Sequence, residues 1–69
     1  MKARKGFIRV YMLKGADRRV ELFVNPRSVT CFAEGSVNGR PVTYVGINGV
    51  SYTIDMPTEE FHALLKEYD

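Results

Sequence analysis

Val42-Thr-Tyr-Val-Gly-Ile47, Asn48-Gly49 and Val50-Ser-Tyr-Thr-Ile54 together decide how this chain folds. Two runs rich in β-branched and aromatic residues flank an Asn-Gly dipeptide. Both central residues of a type I′ turn need positive φ, which asparagine and glycine tolerate best. The stretch therefore predicts a tight antiparallel hairpin, with strands over 41–47 and 50–54.

Upstream, three further strands are expected. Phe7-Ile-Arg-Val-Tyr-Met-Leu13 is dense in β-formers, and Gly15-Ala16-Asp17 is a turn signal. Arg18-Arg-Val-Glu-Leu-Phe-Val24 alternates, with Val20, Leu22 and Val24 on one face. Asn25-Pro26 ends that run, because proline lacks a donor N–H and restricts its predecessor. Ser28 to Ala33 reads as a third strand. Glu34 to Arg40, with Gly35, Ser36, Asn38 and Gly39, reads as a loop.

Downstream the period changes. Phe61, Leu64, Leu65 and Tyr68 fall at i, i+3, i+4 and i+7, the apolar stripe of a helix. Pro57 suits its first turn, Glu59 and Glu60 complement the positive end of its dipole, and Lys66 lies near the other end. The expected fold is α+β: a five-stranded, mostly antiparallel sheet with one C-terminal helix on one face, over 7–69 after a basic tail at 1–6. The expected core is Ile8, Val10, Val20, Leu22, Val45, Ile54, Phe61, Leu64 and Leu65.

One short helix covers one face of a sheet. The other face, assigned Phe7, Tyr11, Leu13, Phe23 and Phe32, needs a different cover: curling of the sheet into a partial barrel, a second subunit or another protein. Stability argues for association as well. Sixty-nine residues form one small domain with a thin margin. Such domains draw on disulfides, metals or oligomerisation. Cys31 is the only cysteine and His62 the only histidine, which excludes an internal disulfide and a single-chain zinc site. A homo-oligomer is expected, with no cofactor and no metal.

The net charge of +2 conceals a split. Residues 1–40 carry nine basic and three acidic side chains, giving +6; residues 41–69 carry one basic and five acidic, giving −4. Such asymmetry can orient neighbouring subunits. No apolar run approaches a membrane span, and Arg9 interrupts the first apolar stretch, so no membrane association is expected. A lone thiol without a secretory signal points to the cytoplasm.

No constellation for catalysis is visible. His62 sits on the flank of the helix stripe without an evident nucleophile. Cys31 reads as an inward structural thiol. Glu59 and Glu60 point to different sides of the helix, and the glycines lack phosphate-loop spacing. The expectation is a non-enzymatic protein that engages an unidentified protein partner through an aromatic sheet face or edge. The rival expectation is nucleic-acid or nucleotide binding through Arg9, Arg18, Arg19, Arg27 and Arg40, with Tyr11, Phe23 and Phe32 among them. An acidic helix and the lack of a helix-turn-helix or RNP-like run weigh against it.

Val24-Asn25-Pro26 followed by Val29, then Val45-Gly-Ile47-Asn48-Gly49, then Tyr52 and Ile54 before an acidic helix, resembles the small FlbD/SwrD flagellar-motor-associated family. The layout is also similar to that of small phage and mobile-element proteins. The likeness spans about residues 20 to 68. It implies the same sheet-and-helix fold and a non-enzymatic regulatory role, such as a phage protein that redirects a host factor. The chain departs from that family in its long middle segment Gly35-Ser-Val-Asn-Gly39, its basic N-terminal segment, and Asp55-Met56 where a Glu-Ser pair is common.

Overall fold

The computed structural model describes residues 6–15 and 18–67. Strand β1 is Ile8–Lys14, β2 Arg18–Val24, β3 Val29–Val37, β4 Arg40–Ile47 and β5 Val50–Ile54; helix α1 is Thr58–Glu67. A single 3-10 turn, Pro26–Ser28, joins β2 to β3. The five strands form one sheet in the order β2-β1-β5-β4-β3, and every pairing is antiparallel. The expected α+β architecture is present. Tyr68, Lys2, Arg4, Lys5, Ala16 and Asp17 lie outside the described residues.

The middle segment departs from the sequence reading. Glu34–Arg40 is not a loop: β3 continues to Val37 and pairs with β4 from Arg40 onward. A second Asn-Gly turn connects them. Asn38 and Gly39 have φ of 51° and 78°, close to the 53° and 81° of Asn48 and Gly49. Both dipeptides therefore adopt the double positive φ of a type I′ turn. Gly35 hid the strand, since glycine weakens a strand interior. The Tyr44 ring lies over Gly35 so closely that a Cβ there would clash with the ring. The aromatic supplies the cover that glycine lacks.

The short β2–β3 link dictates the shape of the sheet. Val24 pairs with Ile8, Met12 with Ile54, Val50 with Ile47, and Ile47 with Val29. On a flat sheet Val24 and Val29 would be about 19 Å apart across the strands and about 26 Å apart along them, roughly 30 Å in all. Five residue steps reach at most about 17 Å, and less through a 3-10 turn. The sheet must curl, with the β1–β2 hairpin swung over the β3–β4–β5 meander. It does so without closing, because β2 and β3 remain its two ends.

Curling makes one face concave, and that face is the core. Ile8, Val10, Val24, Val45 and Ile54 surround Phe61, which is 0 % exposed. Met12, Leu22, Phe32, Leu64 and Leu65 pack around this cluster. Val20 is a correction: it shares the alternation of Leu22 but is 36 % exposed, because it lies on the end strand β2 away from the buried cluster. Thr43 is the buried polar residue of this face. Its hydroxyl donates to the Met56 carbonyl at 2.9 Å and lies 3.2 Å from Thr58 Oγ1, so it fixes the helix entry to β4.

Phe61→Ala should cost about 3–5 kcal/mol, the usual range for a core phenylalanine. A domain of this size has a total stability of roughly 3–10 kcal/mol. Urea titration followed by circular dichroism should show the midpoint collapsing toward zero denaturant. A midpoint shift equivalent to less than ~1 kcal/mol would show that the helix does not carry the core.

Candidate functional site

The convex face and the border between β3 and α1 are the two surfaces with functional potential. On the convex face, Arg9, Tyr11, Arg19 and Asp55 come together from β1, β2 and the end of β5. The Arg19 guanidinium lies 4.4 Å from the centre of the Tyr11 ring and Arg9 lies 5.7 Å from it. Arg9 pairs with Glu21 at 3.1 Å. Asp55, its side chain only 10 % exposed, receives Arg19 at 2.7 Å and Arg40 at 3.7 Å.

Asp55 is more structural than its exposed partners suggest. Its N–H donates to the Tyr11 carbonyl at 2.7 Å, next to the Met12–Ile54 pair. This is the seam where the N-terminal hairpin meets the meander. The carboxylate holds Arg19 of β2 and Arg40 of β4 across the same seam. A single acidic residue thus ties together elements that otherwise share little strand pairing.

Of the residues expected to form one aromatic interface, Phe7, Tyr11, Leu13 and Phe23 fall on the convex face, with Phe23 opposite Arg9, and only Phe32 leaves it. Phe7 and Phe23 are exposed, Tyr11 is half-buried beside the arginines, and Leu13 is buried. Phe32 is on the opposite, concave side, 5.4 Å from Phe61 in an edge-on contact. A β-bulge between Val29 and Cys31 explains the reversal. The extra residue breaks alternation, so Val29 and Phe32 both pack on the core. Cys31 is also corrected: its residue is exposed, not a buried structural thiol.

The expected arginine set divides in the same way. Arg9, Arg19 and Arg40 gather on the convex face, each beside a carboxylate. Arg27 lies in the 3-10 turn, whose Asn25 cap accepts from the Arg27 N–H at 3.0 Å. Strand alternation places Arg18 opposite Arg19. Among the described residues, this arginine set does not form one continuous stripe.

The border between β3 and α1 holds two clefts. One, of about 500 Å³, is lined by Arg27, Cys31, Phe32, His62, Leu65 and Lys66, among others. The other, of about 280 Å³, is lined by Glu34, Pro41, Val42, Pro57, Thr58 and Glu59. The first joins the start of β3 to the end of α1, and the second joins the later part of β3 to the start of α1. The helix therefore runs antiparallel to β3. The border is charge-polarised: Arg27 and Lys66 at one end, Glu34 and Glu59 at the other.

The two ends of the sheet differ too. β2 carries Arg18, Arg19 and Glu21 in seven residues, whereas β3 carries only Glu34 in nine. Charges on an end strand deter pairing with another chain. Among the described residues, no group of three His, Cys, Asp or Glu could hold a metal ion, and no helix is long and apolar enough to cross a membrane. Comparison with protein families, curated proteins and solved structures finds no match for this chain.

Asp55→Ala should destabilise the fold by about 1–2 kcal/mol: charge-assisted bonds are lost, while the released arginines are already half in water. Asp55→Asn, which keeps the backbone bond and one acceptor, should lose less. A loss below about 0.5 kcal/mol for Asp55→Ala, measured by urea titration, would show that the carboxylate does not secure the seam.

Proposed function

We propose that this chain is a non-enzymatic binding module that engages protein through the open edge of β3. The observation that carries this reading is the contrast between the two end strands. β3 is the longest strand, with nine residues whose N–H and C=O groups turn alternately to its unpaired side, and it holds one charge. An extended segment added there gains main-chain hydrogen bonds, and flanking side chains set specificity. The resemblance of the sequence pattern to FlbD/SwrD-like and small phage proteins is compatible with such a regulatory role.

The rival reading, nucleic-acid or nucleotide binding, is favoured by the stacking of Arg9 and Arg19 on Tyr11. It is weakened by Glu21 and Asp55, which already neutralise the same arginines. Retention on heparin should accordingly be weak and nearly independent of salt. A steep salt dependence, with bound material absorbing near 260 nm, would favour the rival.

Ala33 is exposed at the middle of β3. Ala33→Lys should abolish capture of partner protein without lowering the thermal midpoint by more than a few degrees, whereas Arg18→Ala on β2 should leave capture intact. Capture unaffected by Ala33→Lys would contradict the assignment of the edge.

A further inference from the structure

We propose that the cleft between the start of β3 and the end of α1 binds a small organic acid, a carboxylate carried on a compact apolar body. Its occupation does not depend on strand addition at the β3 edge. The cleft, of about 500 Å³, lies within the range of about 300–1,000 Å³ typical of small-molecule sites. Val29, Phe32 and Leu65 give it apolar walls, and all three are half-buried. Arg27, His62 and Lys66 line it as exposed groups, and among the described residues no aspartate or glutamate does.

Charge complementarity selects an anion. On the convex face Arg9, Arg19 and Arg40 each meet a carboxylate within 3.7 Å. Arg27 and Lys66 form no ion pair among the described residues. A guanidinium, an ammonium and an imidazole N–H all donate, so the polar side of the cleft suits a charged acceptor. A carboxylate is one, and an apolar body attached to it can displace water from Val29, Phe32 and Leu65. The other end of the border repels such a ligand, because Glu34 and Glu59 line the smaller cleft there.

Local structure is irregular where this cleft forms. Asn25 caps the 3-10 turn: its side chain accepts from the Arg27 N–H at 3.0 Å, and its carbonyl accepts from the Ser28 N–H at 2.8 Å. The backbone that carries Arg27 is thereby held. The bulge between Val29 and Cys31 brings both Val29 and Phe32 to the core side, and bulges commonly re-aim side chains beside sites. Phe32 in turn lies between Phe61, edge-on at 5.4 Å, and His62 at 5.9 Å. Helix-dipole complementarity accounts for Lys66. It does not account for Arg27, which lies off the helix.

Titration with naphthoate, its neutral counterpart naphthamide and acetate, followed by two-dimensional amide NMR, tests the proposal. Naphthoate should shift the amides of Arg27, Cys31, Phe32, His62 and Lys66 saturably. Naphthamide should bind about tenfold more weakly, the effect of losing a charge-assisted hydrogen bond. Acetate, which has the charge without the apolar body, should not saturate at millimolar concentration. Both cations are exposed, so Arg27→Gln with Lys66→Gln should fold with the same amide dispersion and bind naphthoate about tenfold more weakly.

Equal affinity for naphthoate and naphthamide, or for naphthoate and acetate, would overturn the proposal. So would affinity indifferent to the double variant, shifts centred on Tyr11 and Arg19 of the convex face, or no saturable shift with naphthoate. None of these outcomes bears on the β3 edge, which Ala33-dependent capture tests by itself.

Discussion

The reach of the chain between Val24 and Val29 governs the rest of this structure. A five-step link cannot join the opposite ends of a flat five-stranded sheet, so the sheet curls. Curling creates the concave side, and the concave side gives Phe61 its place. The helix then fills the interior and leaves a border with β3 on one side. Asp55 secures the point where the two halves of the sheet meet, where only the Met12–Ile54 pair sets the strand register. Burial, seam and border all descend from this one short connection.

The same geometry moves the uncovered surface away from where alternation alone would place it. Much of the convex face satisfies itself: arginines stack on Tyr11 and pair with Glu21 and Asp55, while Tyr44 covers Gly35. Both end strands keep an unpaired backbone edge, and that of β3 is the longer and less charged. That edge is long, carries one charge and is flanked by clefts of opposite sign. We propose strand addition of protein as the use of that edge.

Strand alternation, one Asn-Gly hairpin and a helix stripe were enough to anticipate five strands and the C-terminal helix. Most of the core followed from the same patterns, since Ile8, Val10, Val45, Ile54 and Phe61 sit in periodic runs. Three of the features that escaped did so for clear physical reasons. The β3 extension was masked by Gly35, whose cover comes from Tyr44 nine residues later in the chain. Phe32 was placed on the wrong face because a bulge leaves no mark in the alternation. Val20 keeps the period of a core residue, but its exposure depends on where the helix ends and the sheet turns. The charge split was visible, yet its arrangement around one border is a property of the fold.

Hydrogen–deuterium exchange at low and high protein concentration tests the central claim most directly. If β3 is the docking edge, its amides should become more protected wherever the chain associates, while those of β2 stay unchanged. Protection that rises on β2 and not β3, or on neither strand across a range in which the chain associates, would contradict the account.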